Sequence, residues 1–192
     1  MDKLNIMIVG VGGQGTLLTG RILGNVAMKT DCDVKVSEVH GMSQRGGSVV
    51  TYVKMGKKVY SPLIEKGEAD IILAFEKLEA MRWVEYLKEG GRFVVNEQEI
   101  NPMPVITGKA KYPEDIMEKL KTKFQNVTSI NALKIAKECG NIKTVNMVLL
   151  GFMAVTMDIQ KDLWLETIRE VIPQKLVDVN IRAFEAGGNV PF

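Results

Sequence analysis

The chain predicts an α/β domain of Rossmann-like type: three layers, α/β/α, with a mainly parallel, mixed sheet, a β-hairpin insertion and a helical C-terminal cap. Three observations carry this. The apolar run Leu4-Asn5-Ile6-Met7-Ile8-Val9 leads directly into a glycine-rich turn. Further apolar runs of strand length then alternate with stretches of helical period. Beyond Asn146 the period is helical only.

The first strand, 4–9, is apolar throughout, as expected of a strand covered on both faces. The turn Gly10-Val11-Gly12-Gly13-Gln14-Gly15 follows, with glycines 10, 12 and 15 spaced as G-x-G-x-x-G, and 16–29 reads as a helix. A second strand spans 34–39. The polar segment from His40 to Gly47 separates it from a strand over 48–55. Gly56-Lys57 is read as a turn, with 58–61 returning antiparallel as a hairpin. The run 70–75 is a buried parallel-type strand, and a helix from about 76 to 88 is expected to stop at Gly90-Gly91. Residues 92–96 form a strand. Residues 103–107 are read as a short edge strand, because Pro102 and Pro104 hinder central ladder pairing. Pro113 opens a helix to about 124, followed by a strand at 127–130 and a helix at 132–139. Helices over 146–158, 162–172 and 174–186 complete the chain, the first marked by a stripe of Met147, Leu150, Met153, Ala154 and Met157.

Composition bounds the function. The 192 residues are 46% hydrophobic and 25% charged, enough for a normal core. A net charge of +2 with scattered lysines gives no concentrated basic face for nucleic acid. The longest apolar stretch, 147–157, falls short of the about 20 residues that span a bilayer, so no membrane is expected. Strand residues begin almost at once, leaving no signal-peptide pattern, and a cytoplasmic location is expected. Cys32 and Cys139 lack C-x-x-C spacing and a nearby histidine, so neither a metal site nor an iron–sulfur motif is expected.

Two loops carry what chemistry there is. The glycine turn presents backbone N–H groups and the positive end of a helix dipole, a place for an anion. Glu38 stands near the position where a dinucleotide fold holds a ribose hydroxyl. The chain then enters a glycine-rich loop instead of a crossover helix. A free-standing NAD(P)- or flavin-binding protein fits this pattern, and so does a tight turn that only packs helix on sheet, as in a pure interaction scaffold with no ligand. The amide of Gln14, at the helix start, is expected to face whatever lies over the turn. The second loop holds the sole histidine, His40, with Ser43, Gln44 and Arg45 ahead of Gly46-Gly47. Loops at the carboxyl ends of the first two strands are expected side by side over one crevice. Arg45 can grip a carboxylate or phosphate bidentately, or pair with Glu38 and only order the loop. His40 is either a hydrogen-bonded loop residue or a general base. No G-x-S-x-G elbow is present.

Together, the runs Gly10 to Gly15 and Glu38-Val39-His40-Gly41-Met42-Ser43-Gln44-Arg45-Gly46-Gly47 resemble the gamma-type domain of the 2-oxoacid:ferredoxin oxidoreductases. The likeness is closest to the small beta subunits of the indolepyruvate enzymes. It continues in order through Ser61-Pro62-Leu63-Ile64, Gly67-Glu68-Ala69-Asp70, Phe75-Glu76 with Glu79-Ala80, Tyr86-Leu87, Gly90-Gly91, Asn96 and Asn101-Pro102. The resemblance implies a single domain over 1–192 that serves as a non-catalytic small subunit. It implies that thiamine diphosphate, magnesium and the 4Fe-4S clusters belong to a large alpha subunit, with no cofactor, metal or catalytic residue on this chain. The whole enzyme oxidatively decarboxylates an aryl pyruvate, with coenzyme A as acyl acceptor and ferredoxin as electron acceptor. Pyruvate, 2-oxoglutarate and 2-oxoisovalerate enzymes carry similar domains. The implied site is the pair of loops facing the partner's active site: Gly12, Gly13, Gln14 and Gly15, with His40, Ser43, Gln44, Arg45, Gly46 and Gly47.

Overall fold

In the computed structural model, which describes residues 3–41 and 46–191, six strands form one sheet. These are β1 (Leu4–Val11), β2 (Asp33–His40), β3 (Ser48–Gly56), β4 (Ala69–Ala74), β5 (Leu87–Asn96) and β6 (Val127–Ile130). Their order across the sheet is β2-β3-β1-β4-β5-β6. The pairs β1–β4, β4–β5 and β5–β6 are parallel. β3 is antiparallel to both β1 and β2, so the hairpin insertion is β2–β3.

The period-2 alternation of β1 assigns its side chains to two cores. Ile6 and Ile8 face one layer, with α1 (Thr16–Met28), α5 (Ala132–Glu138), α6 (Val145–Ala154), α7 (Lys161–Val171) and α8 (Val177–Gly188). Met7 and Val9 face the other, with α2 (Lys77–Trp83) and α4 (Ile116–Lys123). The short α3 (Met103–Ile106) lies between β5 and α4. All ten residues of α6 are buried. α6 and α8 meet backbone to backbone, since a methyl group added at Gly187 would lie 2.0 Å from the Val148 carbonyl oxygen. Among the described residues no helix is long and apolar enough to cross a membrane.

Three expectations are corrected. Residues 58–61 do not return as a strand, because β1 and β2 already occupy both edges of β3. The segment is tied down instead by Val59 N–H donating to Asp33 Oδ2 at 2.8 Å. Residues 103–106 are helical, not an edge strand. Pro104 has no N–H for a ladder, and the free edge of β5 is taken by β6. The helix expected over 76–88 ends at Trp83, followed by a 3-10 turn at Val84–Tyr86. Gly90-Gly91 lie inside β5, where the register jumps from Ala69↔Leu87 to Ile71↔Arg92. Gly90, at φ 73°, supplies the left-handed residue that this bulge needs. Lesser shifts affect the C-terminal helices, and α4 starts at Ile116 instead of Pro113.

Candidate functional site: a two-loop cleft at the carboxyl edge of the sheet

β1 ends at Val11, and Gly13 (φ 100°) and Gly15 (φ 88°) take left-handed conformations that redirect the chain into α1. Gly15 caps α1, and the first turn contains no acidic residue. The N–H groups of that turn have no partners within the helix, and with the positive end of the helix dipole they lie at the cleft without negative compensation from that turn. The side chain of Asn146, at the start of α6, packs against Gly15.

The second loop leaves β2 at His40 and re-enters the sheet at Ser48, with His40 opposite Val49 and Val11 opposite Ser48. Gly12 N–H donates to the Gly47 carbonyl at 2.8 Å, and Gly46 N–H donates to the Gly12 carbonyl at 3.5 Å. The two loops are thus joined by their backbones. Between them lies a cleft of about 430 Å³ lined by Gly12, Gly13, Gly15, Thr16, Leu17, Glu38, His40 and Val49. Glu38 Oε2 accepts from Thr51 Oγ1 at 3.2 Å, and His40 Nδ1 lies 3.2 Å from the Gly41 carbonyl oxygen. Ser43, Gln44 and Arg45 fall outside the described residues.

Gln14 behaves differently from expectation. Its Oε1 accepts from Val11 N–H at 2.7 Å, and its Nε2 donates to the Phe75 carbonyl at 3.0 Å and to Gln98 Oε1 at 3.3 Å. The amide clamps the turn to the ends of β4 and β5 and does not face the space above it. Asn96 reinforces the clamp. Its Nδ2 donates to the same Phe75 carbonyl, and its Oδ1 accepts from Ala132 N–H at the start of α5.

On the opposite face, two buried carboxylates organise the start of α2. Glu76 caps it by accepting from Glu79 N–H at 2.9 Å. Its other oxygen accepts from Tyr112 Oη at 2.5 Å and Ile100 N–H at 3.1 Å. Burial, reinforced by the Glu76 carboxylate, holds the Tyr112 phenol well above its ordinary pKa. Glu79 accepts from Ser48 Oγ and, at 2.5 Å, from Arg82 Nη1. Sequence reasoning gave Glu76, Glu79 and Asn96 no role, although all three fall within motifs of the resemblance. Acidic residues at a helix start look the same in sequence whether they face solvent or core.

The two cysteines stand apart. Cys32 is buried in the core and Cys139 caps α5. Among the described residues no group of three His, Cys, Asp or Glu is placed to hold an ion.

Known proteins share both the sequence pattern and the fold. The family model described as pyruvate ferredoxin/flavodoxin oxidoreductase matches residues 5–190. The indolepyruvate oxidoreductase subunit IorB of Thermococcus kodakarensis is 44% identical, over 97% of this chain and 95% of its own. Two solved structures share the fold. One is the gamma subunit of a keto/oxoacid ferredoxin oxidoreductase from Geobacter sulfurreducens PCA, with a TM-score of 0.71, 24% identity, and coverage of 96% of this chain and 95% of the other. The second is the 2-oxoglutarate:ferredoxin oxidoreductase of Magnetococcus marinus, solved with 2-oxoglutarate, coenzyme A and succinyl-CoA bound. It has a TM-score of 0.73 and 20% identity, and the match takes in 98% of this chain but 31% of that one. The agreement extends from the first strand to the last helix, and the chain belongs to the pyruvate ferredoxin/flavodoxin oxidoreductase family.

Proposed function

We propose that this chain is the non-catalytic small subunit, a single gamma-type domain, of a cytoplasmic 2-oxoacid:ferredoxin oxidoreductase acting on indolepyruvate or a related aryl pyruvate. A larger alpha subunit carries thiamine diphosphate, magnesium and the 4Fe-4S clusters. That subunit decarboxylates the oxoacid, passes two electrons to ferredoxin and transfers the acyl group to coenzyme A. The present chain supplies a wall of the cleft. The observation that carries the reading is the direct backbone pairing of Gly12 with Gly46 and Gly47, which fuses the two loops into one surface over the first turn of α1. The N–H groups there hold an anion, either the oxoacid carboxylate or a coenzyme A phosphate, and Arg45 adds a bidentate partner. This role accords with the 44% identity to an indolepyruvate oxidoreductase subunit.

Glu38 also lines the cleft, where a dinucleotide fold would hold a ribose. However, β2 turns back into β3, so the crossover helix of a mononucleotide-binding half is missing. Calorimetry with NAD, FAD and coenzyme A on the isolated chain separates the readings, since micromolar NAD binding would favour the free-standing enzyme.

Leu17 is 56% exposed in the first turn of α1 and lines the cleft, so Leu17→Glu places a negative charge against the anion without disturbing the core. In the reconstituted two-subunit enzyme, Leu17→Glu and Arg45→Ala should each raise the Michaelis constant for oxoacid or coenzyme A by about tenfold, the loss of one charge-assisted contact. Unchanged constants for both substrates in both variants would refute the reading.

A further inference from the structure

Glu79 is a puzzle that the proposed role leaves unsolved. Its residue is only 2% exposed, on a short helix. A buried carboxylate carries a desolvation penalty that only specific partners offset. Its two partners are Ser48 Oγ and, at 2.5 Å, Arg82 Nη1.

Ser48 sits at the junction of the two loops. It is opposite Val11, the last residue of β1, and immediately follows Gly47, whose carbonyl accepts from Gly12 N–H. Alternation along β3 turns Ser48 toward the α2 face, with Val50 and Tyr52, while its neighbour Val49 lines the cleft. Trp83 Nε1, 3.5 Å from Ser48 Oγ, approaches from the same side. The start of β3 is therefore gripped from beneath by α2, and the cleft lies on the opposite face beside α1.

We propose that Glu79 is a positioning residue. Through Ser48 it holds Gly46 and Gly47 against Gly12 and so keeps the cleft in its binding geometry. Arg82, at the solvent side of Glu79, pairs with the other carboxylate oxygen and so holds the group oriented toward Ser48. The inference rests on the cleft reading for its effect on activity, but the tether itself is a property of this chain alone.

The test uses Ser48→Ala, Glu79→Gln and the conservative Ser48→Thr. Hydrogen–deuterium exchange on the intact chain reads the Gly12 and Gly46 amides. Steady-state kinetics of the reconstituted enzyme read KM and kcat. In Ser48→Ala and Glu79→Gln, exchange at Gly12 and Gly46 should rise about tenfold, as expected for loss of a charge-assisted hydrogen bond. The KM for oxoacid or coenzyme A should rise about three- to tenfold, with kcat within about twofold. Ser48→Thr, which keeps the hydroxyl, should restore both. A general loss of stability would speed exchange in all elements and would not be rescued selectively. Unchanged exchange at Gly12 and Gly46 overturns the inference whatever the kinetics show. Raised exchange with unmoved KM also overturns it. In that case Leu17→Glu shows whether the cleft reading survives, because that variant acts on the bound anion and not on the tether.

Discussion

Two adjacent glycines in α8 should respond to the same substitution with opposite signs. A methyl group added at Gly187 would lie 2.0 Å from the Val148 carbonyl oxygen and 2.8 Å from its carbon. Carbon–oxygen contacts settle near 3.3 Å, so α8 must move from α6 by more than about 1 Å. The obstacle is helix backbone within a fully buried segment, and no side chain can rotate away. Overpacking of this kind costs about 1–3 kcal/mol, and a rigid backbone obstacle puts Gly187→Ala near the upper end. Against this, replacing glycine by alanine in a helix returns about 1 kcal/mol. The net loss is about 2 kcal/mol, which lowers Tm by about 4–8 °C in a chain of this size. At Gly188 the added methyl would meet nothing closer than 3.6 Å. Gly188→Ala should therefore be neutral or stabilising by up to about 1 kcal/mol, less any loss from its place in the last turn. Thermal melts and urea titrations of both variants beside the parent protein provide the comparison. A Gly187→Ala protein as stable as the parent would mean that α6 and α8 are not in backbone contact.

Other outcomes follow from the polar networks. Tyr112→Phe removes one of three donors to the Glu76 carboxylate. It should cost about 1.5–3 kcal/mol, and an unchanged urea midpoint would argue that the phenol does not reach Glu76. Stability should also fall at both ends of the pH range. Hydrogen bonds from Lys35 to Asp33, Glu65 N–H to Glu68, Lys66 to Glu85 and Lys29 to Glu166 hold those carboxyls below their ordinary values. The unfolded chain therefore takes up protons first on acidification, and this stability is full above about pH 4.5 and lost as pH falls through the folded values. Lys29, Lys66 and Lys88 are raised by hydrogen bonds to Glu166, Glu85 and Asp70, and Tyr112 by burial. Their contribution is full below about pH 10 and lost above it. Because the lysine pairs are exposed, melts in about 1 M salt should show shallower limbs. Limbs unaffected by salt would show that these pairs contribute nothing.

Much of this was legible in the chain because local signals and tertiary demands agree. The glycine spacing at 10, 12 and 15 belongs to a real strand–turn–helix, and the apolar runs at 4–9 and 70–75 are central strands. What was hidden depends on partners distant in sequence. An apolar run does not declare its neighbours, so nothing in 48–55 announced that β3 would fill both of its edges and leave 58–61 without a place in the sheet. Gln14 looked like a ligand-facing amide because its acceptor, the Phe75 carbonyl, is 61 residues away. Glu79 looked like an ordinary helix-start acid because its meaning lies in Ser48, 31 residues earlier. Gly90-Gly91 mimicked a helix stop, since a bulge and a helix terminus both call for a left-handed residue.

The antiparallel return of β3 also has an engineering consequence. Both ends of the rim loop are fastened in neighbouring strands whose residues match one for one, from His40↔Val49 back to Asp33↔Gly56. The match is set by the strands themselves. A single insertion inside β2 would turn Val34 and Val36 away from α1. The pairing of β2 with β3 is thus the frame that keeps His40 and Val49 side by side at the rim of the cleft.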